Sequence, residues 1–486
     1  MQNQAQAQLQ QDAATLRPLC VDLDGTLVKS DTLVDSLLVL LRMQPRNALK
    51  TFRWALDGKA ALKARVSNLV SLDVAHLPYN RPLLTYLEQE RGLGRRIYLT
   101  TGADSKLAER IASHLGIFDG VLASDGSTNL TGNNKLSTLQ SEFNGEDFDY
   151  IGNARPDLPL LEHAGAAMLA NPHASLQSLI KSRKINIHRH FEDRASRRKA
   201  FLKAIRLHQW AKNVLIFVPL LLAHALQLPL ILHAILAFFC FSLCASATYV
   251  VNDLLDIETD RRHPRKKLRP FAAGDLQVST GIIIILIFLA AGFLGTLFLP
   301  WEFLGWLLVY LIATLSYSLV LKRVVLVDVI LLSGLYTVRM LAGGAATGTM
   351  ISTWLAGFSV FLFFSLAMVK RFSEMQNLRE RGNTPSNGRG YLTSDLEQLR
   401  SFGTSSAYAA VVVFSLYISG SNVTTLYLHP VRMWLIVPLM LFWISRVWLL
   451  ASRGEMNEDP VIFAVTDRVS LLIGLAVVIV AIFATI

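Results

Sequence analysis

Four acid or amide side chains follow closely on one another in the middle of the chain: Asn252, Asp253, Asp256 and Asp260. They come directly after an apolar run, residues 229–251, that is long enough to cross a bilayer. If that helix continues, Asn252, Asp256 and Asp260 recur every four residues on one face. Carboxylates stacked in this way repel one another, so we interpret the cluster as a site for Mg²⁺ that bridges the oxygens of a pyrophosphate.

The composition of the whole chain indicates a membrane protein with more than one domain. Its 486 residues are 52% hydrophobic and carry a formal net charge of +11, so the chain is too long for one ordinary domain and too apolar to be wholly soluble. Lys and Arg cluster between apolar runs, which argues against nucleic acid as a partner. The three cysteines form neither a disulfide framework nor a metal-binding spacing, and because residues 1–17 lack an apolar stretch we expect no cleavable signal peptide there.

Hydropathy rises abruptly near residue 213. The apolar segments after it predict about nine helices, which begin near residues 213, 229, 281, 302, 325, 354, 404, 433 and 469. Residues 261–269 and 370–400 hold six Lys or Arg each, whereas turns such as 226–230 and 300–303 hold none. The excess of positive charge places the acidic cluster and the N-terminal region in the cytoplasm, and the C-terminus on the periplasmic or external side. We therefore expect a multi-pass protein of the bacterial inner membrane.

A second group of acids lies near the N-terminus, where residues 19–27 read LCVDLDGTL. This pattern predicts a buried strand that ends in Asp22, Asp24 and a glycine turn. Both carboxylates would point to the same side, so that Asp22 can attack a phosphoryl group while Asp24 handles the proton. The DxDGT motif resembles the first motif of the haloacid dehalogenase (HAD) superfamily of Mg²⁺-dependent phosphatases.

The HAD resemblance covers most of residues 17–180 and implies an α/β Rossmann-like domain, for which we expect bounds of 17–195 and a helical cap at about 31–95. It assigns phosphate binding to Thr101, at the end of a second strand, and to Lys135. In the fourth motif Asn153 replaces the usual aspartate and Asp157 follows it, so the resemblance places Mg²⁺ on Asp22, Asp24, Asn153 and Asp157. Because an amide carries no charge, Asn153 weakens the metal site. We expect residues 1–16 to be a disordered N-terminal segment.

The NDxxDxxxD signature, the RPxAxG tail after it and the nine-helix pattern resemble the UbiA superfamily of intramembrane prenyltransferases. This resemblance spans residues 196–486 and implies an all-α polytopic domain. It assigns Mg²⁺ to Asp253, Asp256 and Asp260 and pyrophosphate binding to these residues and Asn252.

Within that superfamily the chain looks most like the decaprenyl-phosphate phosphoribosyltransferases, which join phosphoribosyl pyrophosphate (PRPP) to a polyprenyl phosphate. PRPP carries a 5-phosphate besides its pyrophosphate, so its pocket needs additional fixed cations. The cations predicted to bind substrate are Lys266, Lys267, Arg269, Lys322, Arg339, Lys370 and Arg371. The resemblance adds Tyr317 and Asp328 to the predicted substrate-binding residues. The second acidic motif of aromatic prenyltransferases is missing, because residues 368–374 read MVKRFSE.

The resulting hypothesis is transfer of 5-phosphoribose from PRPP to a polyprenyl phosphate at the cytoplasmic face, followed by removal of the 5-phosphate by the HAD-like domain, for cell-envelope glycan synthesis. Two alternatives remain open. One is an aromatic prenyltransferase of quinone biosynthesis, and the other is a lipid-carrier transporter or binding module with an inactive HAD-like domain. The sequence leaves the oligomeric state and the lipid chain length open.

Overall fold

The computed structural model describes residues 16–48, 50–380, 390–424, 426–456 and 459–485. The predicted disordered N-terminal segment therefore lies outside the described residues, except for Leu16. The chain forms two compact units: the first comprises Met1–Ile205 and Val250–Ile283, and the second comprises Arg206–Tyr249 and Ile284–Ile486. A domain boundary between residues 195 and 196 stays a prediction, whereas the first unit also takes in the acidic cluster of residues 252–260.

The first unit contains a parallel sheet of six strands in the order β3-β2-β1-β4-β5-β6. Its strands are β1 Leu19–Val21, β2 Ile97–Asp104, β3 Gly120–Ser124, β4 Asp149–Gly152, β5 Ala167–Ala170 and β6 Ile187–Phe191. The central strands β1, β4 and β5 are buried throughout, as expected for a parallel sheet covered by helices on both faces. The predicted Rossmann-like α/β fold is confirmed.

Helices surround this sheet and fill the predicted cap region. They are α1 Thr32–Met43, α2 Pro45–Ala48, α3 Thr51–Leu56, α4 Lys59–Leu69, α5 Arg81–Gly92, α6 Ser105–Leu115, α7 Asn133–Glu142, α8 Leu158–His163, α9 Ala174–Arg183 and α10 Arg197–Ala204. The cap helix α1 begins at Asp31, whose side chain accepts the N–H of Val34, the hydrogen bond typical of a helix N-cap. The bounds of the helical cap, about 31–95, stay a prediction.

The remaining helices are mostly long and apolar. They are α11 Val218–Leu222, α12 Leu228–Leu255, α13 Ile257–Arg262, α14 Val278–Thr296, α15 Trp301–Leu319, α16 Val327–Thr347, α17 Thr353–Glu380, α18 Leu396–Ile418, α19 Ser421–Thr424, α20 Ile436–Ser452, α21 Pro460–Thr466 and α22 Arg468–Thr485. By length and composition, eight helical segments of the described chain can cross a membrane. The prediction of an all-α domain with several membrane-spanning helices is therefore confirmed.

The described residues contain eight such segments, whereas the sequence predicted about nine helices. The difference lies at the first predicted helix. There the chain forms a 3₁₀ segment, Leu207–Phe217, and the short helix α11, which are too short to count among the eight. Gly343 of α16 explains the close packing in this region, because a Cβ atom at Gly343 would lie 2.0 Å from the carbonyl oxygen of Ile216. Small residues let membrane helices approach a neighbouring backbone closely.

Candidate functional site

Asp22 and Asp24 follow β1 and line one cavity of about 490 Å³ in the first unit. Asp22 accepts hydrogen bonds from Lys135 Nζ at 2.7 Å and from the Thr26 hydroxyl at 3.1 Å. Asp24 accepts the backbone N–H of Thr32 at 2.8 Å. Burial raises the pKa of both carboxyl groups. Asp22 is therefore the acid paired with a lysine, whereas Asp24 is held by the backbone and is the easier of the two to protonate.

Lys135 connects Asp22 to the fourth predicted motif. Its ammonium group also donates to the hydroxyl of Tyr150 at 3.1 Å, and that hydroxyl donates to Asp157 at 2.8 Å. The other carboxylate oxygen of Asp157 accepts the backbone N–H groups of Asn153 and Ala154, both at 3.0 Å. Burial alone would lower the pKa of Lys135, but Asp22 and Asp157 raise it. Asp157 thus fixes the loop and the lysine, and its predicted role as a metal ligand stays a prediction.

Asn153 has a buried amide oxygen that faces no hydrogen-bond donor among the described residues. Its side chain is buried, and its Oδ1 atom has no hydrogen-bond partner among the described residues. The amide packs against Gly25, where a Cβ atom would lie 2.0 Å from Nδ2. An amide oxygen beside the carboxylates of Asp22 and Asp24 is an oxygen set that suits Mg²⁺. The described part of the chain contains no group of three His, Cys, Asp or Glu side chains that could hold a metal ion by themselves, so a site with three protein ligands here would have to include the amide.

Thr101 is not among the residues that line this cavity. It is fully buried, and its hydroxyl oxygen accepts the N–H of Ala103 at 2.9 Å, while the neighbouring Gly102 lines the cavity. The carbonyl oxygen of Gly102 accepts a hydrogen bond of 2.5 Å from Lys63 of the cap helix α4. Phosphate binding by Thr101 stays a prediction. Lys63 escaped the sequence analysis because a single lysine in a helical cap gives no signal.

The acidic cluster also belongs to the first unit, and its helix is interrupted. Helix α12 ends at Leu255, Asp256 is non-helical, and α13 begins at Ile257. The interruption is one residue long, because the N–H groups of Asp256 and Asp260 still donate to the carbonyl oxygens of Asn252 and Asp256, at 3.0 and 2.8 Å. A shared face for Asn252, Asp256 and Asp260 stays a prediction. Asp253 and Asp260 are the pair that converges: the same Nη1 atom of Arg269 lies 3.0 Å from one and 2.7 Å from the other.

Asp256 faces elsewhere, with Nη1 of Arg42 at 3.5 Å. Asp253 and Asp260 are buried, and burial raises the pKa of Asp260 while Arg269 opposes the rise. One guanidinium nitrogen lies between these two carboxylates, so both face the same positive charge, and metal binding by the pair stays a prediction. Asn252 is half-buried, and Lys266 and Lys267 are exposed in the loop that leads to Arg269; their substrate contacts stay predictions.

Arg261, the residue after Asp260, forms hydrogen bonds with the loop that follows Asp24 and with the beginning of helix α1. Its guanidinium donates to Asp35 at 2.8 Å, to Ser30 Oγ at 3.0 Å and to the carbonyl oxygen of Ala272 at 3.1 Å. Arg261 and Asp35 side chains are 5% and 2% exposed. The segment after the acidic cluster also reaches the Asp22 cavity, where Phe271, Leu276 and Gln277 line the wall. Sequence analysis missed this pair because the two residues are far apart in the chain.

The second unit contains a cluster of opposite charge. Asp459 Oδ2 lies 2.7 Å from Lys212 Nζ and 2.9 Å from Lys370 Nζ, and the hydroxyl of Tyr336 lies 3.4 Å from Oδ1. Lys212 and Lys370 thus carry one more positive charge than Asp459 neutralises. Asp459 precedes α21, whose first turn it caps by accepting the N–H of Val461. Lys212 was not among the predicted site residues.

The other predicted cations of the second unit are already engaged by protein groups. Arg371 is fully buried and donates to Asp328 at 2.6 Å, to Glu374 at 2.6 Å and to Tyr317 at 3.1 Å. The hydroxyl of Tyr391 donates to the second oxygen of Asp328. This network uses each nitrogen of the guanidinium group, so it favours positioning of α16 and α17. Substrate contacts of Tyr317, Asp328 and Arg371 stay predictions.

Arg339 is similarly buried, with its Nε donating to Asn213 at 2.8 Å and its Nη2 to Tyr310 at 3.3 Å. Lys322 is half-buried in the 3₁₀ turn Leu321–Arg323. Among the predicted cations of the second unit, the structure therefore brings Lys370 to the lysine cluster around Asp459 and places Arg339 and Arg371 in buried hydrogen-bond networks.

Sequence and structure comparisons cover both regions. Residues 213–484 match the model of the UbiA prenyltransferase family. The chain is 39% identical to the uncharacterized protein y4nM of Sinorhizobium fredii over 461 residues, 94% of this chain and 89% of that protein. It is 32% identical to decaprenyl-phosphate phosphoribosyltransferase of Mycobacterium tuberculosis over 289 residues, 57% of this chain and 90% of that protein.

Two solved structures are similar to separate parts of the chain. A UbiA homologue from Archaeoglobus fulgidus, bound to DMAPP and Mg²⁺, covers 58% of this chain and 98% of its own, with 17% identity and a TM-score of 0.44. A HAD family hydrolase from Salmonella enterica covers 36% of this chain and 66% of its own, with 19% identity and a TM-score of 0.27. Given the extent of the family match and of the similarity to y4nM, the chain belongs to the UbiA prenyltransferase family.

Proposed function

We propose that the protein transfers 5-phosphoribose from PRPP to a polyprenyl phosphate at the cytoplasmic face of the bacterial inner membrane. The observation that carries the proposal is the presence of two clusters with opposite charge excess: the carboxylate pair Asp253 and Asp260, and the lysine pair Lys212 and Lys370. A substrate pair with a pyrophosphate and further phosphates needs both a metal site and fixed cations. The similarity to decaprenyl-phosphate phosphoribosyltransferase supports the same reaction.

In the transfer step a phosphate oxygen of the lipid forms a bond to ribose C1. The bond from C1 to the pyrophosphate oxygen breaks, and pyrophosphate leaves with the electron pair. Mg²⁺ bound by Asp253 and Asp260 would neutralise this leaving group. Arg269 holds the two carboxylates together and adds a positive charge beside them. Within the second unit, Lys212 and Lys370 offer charge-assisted hydrogen bonds to a phosphate group. In this proposal Asp256 supports the cluster from its pairing with Arg42.

The HAD-like centre supports a second step on the transfer product. The Asp22 carboxylate forms a bond to phosphorus as the bond between phosphorus and ribose O5 breaks, and Asp24 gives its proton to O5. Water then hydrolyses the aspartyl phosphate and releases inorganic phosphate. Lys135, 2.7 Å from Asp22, balances the charge of the phosphoryl group. The lipid that remains is a polyprenyl-phosphoryl pentose, a precursor suited to cell-envelope glycans.

The donor is tested directly with purified membranes. Label from ribose-labelled PRPP should enter the lipid fraction only when polyprenyl phosphate is present, with release of one pyrophosphate for each lipid labelled. A prenyl pyrophosphate with an aromatic acid should give no product. Formation of a prenylated aromatic compound would instead support the aromatic prenyltransferase, and absence of both products would support a binding or transport role.

A further inference from the structure

A second cavity of about 500 Å³ in the first unit adjoins the Asp22 cavity. We name it the arginine cavity after two of its lining residues, Arg194 and Arg197. His173 and Gln277 line both cavities, and their side-chain nitrogens are 3.2 Å apart. The reaction steps described above make no use of this cavity.

The arginine cavity contains buried donors without acceptors. Asn171 is 6% exposed; its Oδ1 accepts the N–H of Asp193 at 2.9 Å, but its Nδ2 has no partner among the described residues. Arg194 donates from Nη2 to the carbonyl oxygen of Lys29 at 2.8 Å, while its buried Nε is likewise unpartnered. Because buried N–H groups are costly to leave unpaired, these donors point to a ligand that accepts hydrogen bonds.

Three helices begin at the wall of the arginine cavity. His173 is the residue before α9, Arg197 is the first residue of α10, and Gln277 precedes α14. The N-terminal ends of helices present free N–H groups and a positive partial charge, which favour anions. The first turns of α9 and α10 receive no hydrogen bond from a capping side chain; in α9 the N–H of Leu176 donates to the carbonyl oxygen of His173, which leaves the N–H groups before it for a ligand.

The remaining charges of the arginine cavity decide what kind of anion fits. Glu192 and Asp275 also line it, and Asp275 accepts the N–H of Ala195 at 3.1 Å. Burial and the nearby charge of Arg197 lower the pKa of Arg194, and Asp275 opposes the shift. The two arginines and two carboxylates cancel formally, so a bound anion would depend on directed N–H donors. A singly charged phosphodiester with neighbouring sugar hydroxyls meets both the donors and the carboxylates.

We infer that the arginine cavity binds the phosphodiester of a substrate whose terminal phosphate monoester reaches Asp22. The inference rests on the proposed function, since the transfer product carries a phosphodiester at ribose C1 and a monoester at C5. Its sugar would lie where His173 and Gln277 line both cavities. This arrangement selects the lipid-linked product over ribose 5-phosphate, which carries only the monoester.

The test measures binding to the full chain carrying Asp22→Asn, in detergent micelles, so that no probe is hydrolysed. The probes are ribose 5-phosphate and its derivative with a methyl phosphodiester at C1. We expect the diester probe to bind at least about tenfold more tightly, the contribution of one or more hydrogen bonds to a charged group. Adding Asn171→Asp or Arg197→Gln should abolish that advantage, because each removes a donor or a positive charge.

The matched control is Arg198→Gln, an exposed arginine of the same helix that does not line the cavity; it should keep the full advantage of the diester probe. Equal affinity of the two probes, no binding of either, or an advantage that survives both Asn171→Asp and Arg197→Gln would overturn the inference. Absence of PRPP-dependent lipid labelling in the membrane assay would contradict the proposed function, but it would not change the result of this binding test.

Discussion

The acidic cluster of the first unit and the lysine cluster of the second have the same kind of arrangement with opposite signs of charge. In the first, Asp253 and Asp260 share one Arg269 nitrogen; in the second, Lys212 and Lys370 share one oxygen of Asp459. Two carboxylates with one guanidinium leave a charge of −1, and two ammonium groups with one carboxylate leave +1. Each cluster keeps like charges together through one ion of opposite sign, and its excess charge suits a different ligand.

Whether a cluster has an excess charge distinguishes charged groups that only stabilise the fold from charged groups that can bind a ligand. A buried ion pair that is fully compensated contributes little beyond the cost of its own desolvation, whereas a cluster with an excess charge remains able to attract a ligand. On this view the first cluster attracts a metal ion and the second attracts phosphate. The predictions below test whether the two excess charges have these separate roles.

The largest effect should come from Asp260→Asn, which removes the excess negative charge of the acidic cluster. A positioned metal ion contributes several kcal/mol to the transition state, so transfer should fall by at least about a thousandfold. The measurement is PRPP-dependent labelling of polyprenyl phosphate in membranes. Glu258→Gln is the control on the same helix, since Glu258 pairs with Arg262 at 2.9 Å. Near-normal transfer by Asp260→Asn at saturating Mg²⁺ would remove the cluster from the mechanism.

A buried ion pair whose two charges cancel, such as Arg261 with Asp35, should respond differently to substitution. Arg261→Met leaves the Asp35 carboxylate buried and unpaired, and removing one partner of a buried pair costs about 3–5 kcal/mol of stability. Thermal unfolding of the full chain should shift to lower temperature, and the added change Asp35→Leu should recover much of the loss. If Arg261→Met unfolded at the same temperature as the intact protein, the pair would have no structural role, and the contrast between compensated and uncompensated charges would fail.

The lysine cluster can be tested by pH. Burial lowers the pKa of Lys212 to about 8, with Asp459 opposing and Lys370 adding to the shift. Lys212 is therefore charged below this pH and loses its charge as the pH rises, so the KM for the anionic substrate should increase between about pH 7 and pH 9. Lys212→Arg, which stays charged, should flatten this increase, and Lys212→Gln should raise the KM about tenfold at neutral pH.

The control for the lysine cluster is Arg453→Gln, an exposed cation near the end of α20, which should leave the KM and its pH dependence unchanged. A KM that rises with pH equally in the intact protein and in Lys212→Arg would assign the titration to another group. It would also leave the second cluster without evidence of a role in phosphate binding.

The smallest effect concerns Asn153, where the HAD-like centre lacks a charge. Asn153→Asp should increase phosphatase activity by a few-fold at low Mg²⁺ and have little effect at saturating Mg²⁺, because an added carboxylate strengthens ion binding. The measurement is phosphate release from the 5-phosphorylated lipid across a Mg²⁺ titration. The same increase at every Mg²⁺ concentration would show that metal binding does not limit the centre.

The strands and helices could be predicted from the sequence, but the ion pairs between distant residues could not. Asp22 and Asp24 were predictable because they follow a short apolar strand and precede a glycine turn, and the apolar runs predicted the helices. The interruption at Asp256 was not predictable, because the residues around it continue an apparently helical pattern. Lys212 with Asp459, and Asp35 with Arg261, are brought together by tertiary packing over more than 200 residues of chain, and a single sequence carries no signal for such contacts.

Mass spectrometry of the lipid products tests the central claim most directly. The intact protein and Asp22→Asn are each given PRPP and a polyprenyl phosphate. The account predicts a dephosphorylated polyprenyl-phosphoryl pentose from the intact protein, and accumulation of the 5-phosphorylated lipid at an unchanged transfer rate from Asp22→Asn. The same fully phosphorylated lipid from both proteins would contradict a phosphatase role for the first unit, and no pentose-bearing lipid from either would contradict the transfer itself.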